Sequence, residues 1–323
     1  MLNLAQIHKT FHPSSSLSQE LMSFWRRKSR NTGVFAVRGL DLEVREGEIL
    51  GLVGESGSGK STLGRIMGGL YQPDSGQVLF EGKDITTFDR KEKQLFNFRV
   101  QLMFQDPSSS LNPRLNARAA LSEGLIVHRM GSRADRRRKV DQLFHEVGLT
   151  PDLADRYPHQ FSGGQRQRLC LARALSLDPD LLIADEPASA LDVSIQAQII
   201  NLLLSLKEKR GLTMVLISHD LSLVCLMADR VAVMYGGLIM EEFPRDQLSR
   251  SDHHPYVKAL WASAEYASTN DLILEGEPPD PQNPPSGCPF HPRCPEAQDI
   301  CSLKAPMTKP FGLDCRCACH FRG

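Results

Sequence analysis

The nine residues Gly54 to Thr62, GESGSGKST, hold the densest chemistry in the chain. Glycines at 54, 57 and 59 let backbone N–H groups turn inward past Glu55, Ser56 and Ser58, and such a loop suits a polyphosphate. Lys60 can then reach the β and γ phosphates, and the Ser61 hydroxyl can hold magnesium. Well downstream stands FSGGQ, Phe161 to Gln165, followed after one short helix by the apolar run Leu181 to Ala184 and the pair Asp185-Glu186. A carboxylate at 185 can hold the magnesium through water, and Glu186 is placed to orient or deprotonate an attacking water. Ser162, Gly163 and Gly164 can cap the same phosphates from the opposite side. The two fragments therefore predict a nucleotide sandwiched between two protomers, with the dimer closing and opening as the nucleotide changes.

That chemistry requires strands that end at the loop. Glu48 to Val53 reads as a buried strand running straight into the glycines, and Ser61 to Leu70 as the helix after them. Residues 2 to 11 read as a strand, alternation resumes at Val34, and His12 to Gly33 reads as a polar insertion with Trp25-Arg26-Arg27-Lys28 near its centre. That basic aromatic patch suits a solvated loop better than a membrane contact. Leu181 to Ala184 and Thr213 to Ile217, separated by a helix from Val193 to Lys209, give the alternation of a parallel sheet. Residues 112 to 160, with Val140, Leu143, Phe144 and Val147 at helical spacing and Arg133 to Lys139 as a solvated face, predict a helical subdomain between the two halves of the site. We take that subdomain as residues 112–175, the nucleotide-binding domain as 1–250 and a smaller cysteine-rich extension as 251–323. The fold class is α/β, and Glu277 to Gly287, with five prolines, reads as a stiff linker.

Composition narrows the alternatives. The chain has 323 residues, 41% of them hydrophobic, with Lys+Arg and Asp+Glu both at 38. A zero net charge gives no general attraction to nucleic acid, so none is expected as a partner. The start MLNLAQIHKTF has no secretion signal, and no stretch approaches the ~18 apolar residues of a membrane span. A cytosolic protein that meets a membrane only through partners is the expectation.

The motifs resemble those of the ATP-binding subunits of ABC transporters. Ser162-Gly163-Gly164-Gln165 matches the signature of that family, Gln105 in FQDP its Q-loop, Ser189-Ala190-Leu191-Asp192 its D-loop and His219 in ISHD its switch histidine. The resemblance implies an ABC-type P-loop ATPase core, ATP and magnesium as cofactors, and a role for each residue. Ser162 and Gly164 would contact the γ phosphate held by the opposite subunit, Gln105 would sense magnesium and water and couple to the membrane partner, and Asp192 would communicate across the dimer. His219 would hold the γ phosphate, and Thr62 would touch the α phosphate. Phe11 is the candidate for stacking on adenine, with Phe35 second. Phe161 replaces the usual leucine of the signature and Ala188 a common threonine, and neither change removes a reacting group.

Six of the eight cysteines fall in the last 36 residues, while Cys170 and Cys225 sit in apolar helical contexts as buried thiols. Clustered cytosolic cysteines favour metal over disulfides. DHHPYVKAL from Asp252, GCPFHPRCPEAQDIC and CACH, with RYPHQFSGGQRQR, resemble the ATPases of dipeptide, oligopeptide and nickel importers. By that resemblance Cys288, Cys294, Cys301 and Cys319 would hold a four-iron four-sulfur cluster. Cys315 and Cys317 are extra and leave the fourth ligand open, and zinc, which also accepts four thiolates, or no metal are the alternatives. The resemblance further implies two membrane permease subunits, a second similar ATPase as heterodimer partner, a periplasmic or extracellular solute-binding protein, and a peripheral position on the cytoplasmic face of the inner membrane. The rival readings are a soluble ABC ATPase acting on DNA or ribosomes, and an importer of nickel or metal chelates.

Overall fold

The computed structural model describes residues 1–12, 33–106, 110–189, 191–265, 276–312 and 314–322. The patch Trp25 to Lys28 and Ala190 of the D-loop match lie outside them. Strand β1 (Leu2–Phe11) pairs antiparallel with β2 (Val34–Val44), and β3 (Ile49–Val53) is buried along its whole length. After the glycine loop comes α1 (Lys60–Met67). It stops three residues before the predicted Leu70, because Gly68 caps it and Gly69 turns left-handed at φ 71°. Next are β4 (Ser75–Phe80), β5 (Lys83–Asp84), α2 (Arg90–Arg99), opened by a capping box between Asp89 and Glu92, and β6 (Val100–Met103).

The expected helices follow as α3 (Ala117–Val127), α4 (Arg133–Glu146) and α5 (Gly163–Leu175). Val140, Leu143, Phe144 and Val147 are all buried, and most of the arginines from 133 to 138 face outward. Then come β7 (Leu181–Asp185), α6 (Val193–Arg210), β8 (Thr213–Ser218), α7 (Leu221–Met227), β9 (Arg230–Tyr235) and β10 (Leu238–Pro244). The remaining elements are α8 (Pro255–Glu265), α9 (Asp299–Leu303), β11 (Lys309–Pro310) and β12 (Arg316–Cys317). Among the described residues no helix is long and apolar enough to cross a membrane.

Two sheets result. An antiparallel one runs β2-β1-β4-β5, and a larger one runs β11-β12-β10-β9-β3-β8-β7-β6. In the larger, β9, β3, β8, β7 and β6 are parallel, while β10, β12 and β11 extend it antiparallel. Parallel strands are covered on both faces and so read as continuous apolar runs. Their side chains sort accordingly by parity. Ile49, Val53, Leu182, Ala184, Met214 and Leu216 join the core shared with the helical subdomain and the C-terminal residues. Leu50, Leu52, Leu181, Ile183, Val215 and Ile217 join the core between the two sheets, with Leu63 and Ile66 of α1. The proline-rich stretch is no free spacer, because Pro281 O accepts the Phe35 N–H at 2.9 Å on β2.

Candidate functional site

The site lies at the carboxyl ends of the parallel strands, where the helices that follow begin. Four strands each deliver a residue: β3 the loop from Gly54, β6 Gln105, β7 Asp185-Glu186, and β8 His219. Ligands of open parallel sheets settle at this edge because helix N-termini and loop N–H groups converge there. Gly54 is obligatory in this packing, since a Cβ on it would lie 2.1 Å from the Met234 carbonyl oxygen. Gly59 caps α1 at φ 105°, and a Cβ there would meet the Ala36 carbonyl at 2.2 Å. No side chain caps α1, so its first N–H groups face the loop and favour an anion.

Lys60 is buried, and its Nζ donates to the carbonyls of Gly54 and Glu55 at 2.7 and 2.8 Å and to Ser58 Oγ at 3.3 Å. Burial holds its pKa below the ordinary lysine value, while Glu186, Asp185 and Glu55 pull the other way. Ser61 Oγ donates to Asp185 Oδ1 at 3.1 Å. Burial pushes the Asp185 carboxyl up, Ser61 opposes that, and the neighbouring Glu186 adds to it. A hydroxyl beside a desolvated carboxylate is a donor set that fits magnesium, which takes oxygen ligands and would favour the ionised form of Asp185.

Glu186 occupies the left-handed region at φ 48°, a conformation rare outside glycine, fixed by its N–H bond to Ile217 O at 2.9 Å. Both of its carboxylate oxygens are held, one by Gln105 Nε2 at 2.7 Å and the other against His219 Nδ1 at 3.2 Å. Gln105, Glu186 and His219, far apart in the chain, thus form one connected group.

Ser162 and Gln165 form a capping box at the start of α5, with Gln165 N to Ser162 Oγ at 3.3 Å and Ser162 N to Gln165 Oε1 at 3.0 Å. Among the described residues these bonds stay within that turn and do not reach Gly54 to Thr62. Gly164 packs α5 onto α6, because a Cβ there would lie 2.6 Å from Ile195 Cγ2. Gln167 Nε2 donates to Pro187 O at 2.5 Å, tying α5 to the turn after Glu186. Asp192 stands at the N-cap of α6 with no side-chain cap bond.

The two aromatic candidates are neighbours on paired strands, because Phe11 stands opposite Val34 and Phe35 opposite Thr10 across β1 and β2. Phe11 meets Tyr71 edge-on at 5.5 Å, and Arg65 of α1 stands 5.7 Å from that Tyr71 ring. Phe35 is 41% exposed and lines a cavity with Ser56, Gly57, Ser58 and Tyr235. Sequence reasoning missed Tyr256 and Arg293, both of which touch Glu55 in the loop. No local pattern announces a contact that spans 201 or 238 residues.

Cys288, Cys294, Cys301 and Cys319 line one small cavity with His254, His291 and His320. Burial pushes the Cys288 thiol up to about 11, and the nearby thiols add to it. Cys315 lies elsewhere, between Arg250 Nη1 at 3.0 Å and Gln247 Oε1 at 2.9 Å, and Cys317 is in β12. Among the described residues no three His, Cys, Asp or Glu side chains converge to hold a single metal ion. Cys170 and Cys225 are buried as expected, with pKa values pushed up to about 12 and about 11 by desolvation.

The ABC transporter family pattern matches residues 37–189, and the C-terminal region of oligopeptide/dipeptide transporters matches 240–301. The putative oligopeptide transport ATP-binding protein YkfD of Bacillus subtilis (strain 168) is 46% identical over 95% of each chain. The chain belongs to the ABC transporter family, in its oligopeptide and dipeptide branch. The oligopeptide transport ATP-binding protein AppF of the same organism is also 46% identical, over 99% of this chain and 97% of its own. Among solved structures, the dimeric bacterial ABC transporter cassette MJ0796 is 29% identical with a TM-score of 0.64, covering 76% of this chain and 99% of that one. The same cassette is also known as a dimer in a post-hydrolysis state bound to ADP and Pi. The ABC cassette fold, with its mixed sheets, is therefore the fold of this chain.

Proposed function

We propose that this protein is the ATP-hydrolysing subunit that energises import of peptides or related small solutes through a membrane ABC permease. The observation that carries the reading is the connected group of Gln105, Glu186 and His219 beside the buried Lys60 loop, in a chain whose relatives are named as peptide transport ATP-binding proteins. Gly54, Glu55, Ser56, Gly57, Ser58 and Gly59 offer backbone to the phosphates, Lys60 its charge, and Thr62 the α-phosphate contact. Ser61, Asp185 and Gln105 would hold magnesium, which neutralises phosphate charge when bound. Glu186, with both oxygens oriented, takes the proton of the attacking water, and His219 holds the γ phosphate. Phe11 stacks on adenine, and the exposed ring of Phe35 beside the loop is the second candidate.

Ser162, Gly163, Gly164 and Gln165 cap the nucleotide of the opposite subunit, and Asp192 faces the same boundary. The capping box leaves this turn preformed for that contact, and the dimeric neighbour supports the arrangement. The opposite subunit is a second, similar ATPase, and the pair sits peripherally at the cytoplasmic face of the inner membrane under two permease subunits that receive solute from a binding protein. A cleft lined by Leu70, Gln101, Phe104, Val127 and His128, with Leu70 and Val127 exposed, is offered to the permease.

The C-terminal part is a cysteine-rich extension. Cys288, Cys294, Cys301 and Cys319 line one small cavity, and the reading that they hold a four-iron four-sulfur cluster rests on the resemblance to the importer ATPases, with zinc, which also accepts four thiolates, as the alternative. Such a cluster would be a structural staple for a segment with little core of its own. Anaerobic purification with iron, sulfide and zinc assays decides between them, and protein free of all three would refute both.

The functional test is reconstitution with the permease pair in vesicles. ATP-dependent peptide uptake that disappears with Glu186→Gln supports the reading. Uptake of metal chelates only, or co-purification with nucleic acid in place of permeases, overturns it.

A further inference from the structure

The glycine loop is held from outside by the C-terminal segment. Glu55, its second residue, donates its backbone N–H to Tyr256 Oη at 3.0 Å. Both Glu55 carboxylate oxygens accept from Arg293 Nη1 at 3.0 Å, and the same nitrogen donates to Tyr235 Oη at 3.1 Å. The Glu55 carbonyl in turn accepts from Lys60 Nζ at 2.8 Å. One residue therefore joins Arg293, from the far end of the chain, to the lysine of the phosphate loop.

This clamp is buried and stiff. The Arg293 side chain is 7% exposed, and Tyr256, Tyr235 and Phe290 are sealed from solvent. Their rings pack together, Tyr235 on Tyr256 at 4.5 Å, Tyr235 on Phe290 at 5.3 Å and Tyr256 on Phe290 at 5.2 Å. Removing one partner of a largely shielded ion pair leaves the other charge without compensation. Arg293 also sits in the short turn His291–Arg293, directly before Cys294. Anything that reshapes that turn moves the guanidinium relative to Glu55.

We propose that Arg293, backed by Tyr256, is a positioning residue for the phosphate loop, so that the seat of the C-terminal segment sets how tightly this chain binds ATP. The proposal rests on the loop being the ATP site, as argued above. It adds that the carbonyls and N–H groups of Gly54 and Glu55, and through them Lys60, keep their binding geometry only while Glu55 is pinned. Coupling of this kind is reciprocal, so ATP also steadies the segment around Arg293.

The test is a double-mutant cycle on the full chain in its permease complex, with Arg293→Ala, Glu55→Gln and both together, reading KM for ATP, kcat and thermal stability with and without ATP. Each single change should raise KM by ~10-fold, with a smaller effect on kcat, and the double variant should be no worse than either single one. Arg293→Lys should recover part of the affinity. A role confined to folding would lower stability equally with and without ATP and leave KM unchanged, and that result overturns the proposal. Additive effects of the two changes also overturn it. Lys60→Ala is the control for the underlying reading: if it binds ATP as the parent does, the loop is not the site. If it loses ATP while Arg293→Ala keeps the parental KM, only the positioning role falls.

Discussion

In the proposed reaction Glu186 would be the base, and its carboxylate is held at both oxygens on a backbone in a rare conformation. Replacing it with Gln keeps size and most of the hydrogen bonding but removes the base. Turnover should fall by ~10²- to 10⁴-fold while ATP affinity stays close to the parent value, measured by steady-state hydrolysis and equilibrium binding. Unchanged turnover would move the base elsewhere. The phosphate loop and the acidic pair were legible in the sequence because each follows an apolar run at a strand end, His219 was singled out only through the resemblance of ISHD to the family motif, and the structure brings all three to one edge. The link from Glu55 to Arg293 was not legible, since nothing local to either residue encodes a partner 238 positions away.

At the level of elements, β10 is joined to the C-terminal residues through a buried pair. Glu241 is fully buried and accepts from His253 Nδ1 at 2.7 Å and from the His254 N–H at 2.6 Å. Burial alone would lower the pKa of His253, but the hydrogen bond and charge of Glu241 outweigh it and the ring titrates above its ordinary 6.5. The folded chain then holds this proton more tightly than the unfolded one. Its stabilisation is complete below pH 6.5 and is lost as pH rises through the raised folded value. His253→Gln should cost ~3 kcal/mol in mildly acidic buffer and less in alkaline buffer, read by denaturant unfolding at several pH values. A cost that grows with pH would reverse the sign. Of the parallel strands, β3, β7 and β8 were readable as continuous apolar runs, which their two-faced burial explains, while β6 and β9 were not singled out. The antiparallel partnership of β1 with β2 and β4 was not, because register between distant strands depends on tertiary packing. Likewise the proline-rich stretch reads as a spacer by composition, and its docking on Phe35 follows only from the surface it meets.

For the whole molecule, the capping turn at Ser162 points to a function that one chain cannot complete. Ser162→Arg should leave ATP binding by the Lys60 loop intact yet abolish ATP-dependent association with the partner ATPase, scored by light scattering in the Glu186→Gln background. Association that survives would remove Ser162 from the boundary. The hairpin of β11 and β12 carries a different consequence. It pairs Cys317 and Arg316 with Glu241 and Glu242, so the last residues of the chain finish the same sheet that begins the phosphate loop. Cutting the protein after residue 250 to obtain a minimal ATPase would strip that hairpin away and bare the rim of β10, a row of unsatisfied amides ready to zip onto a neighbouring molecule. Such a fragment should precipitate or form disordered oligomers on size-exclusion chromatography, where the intact protein does not.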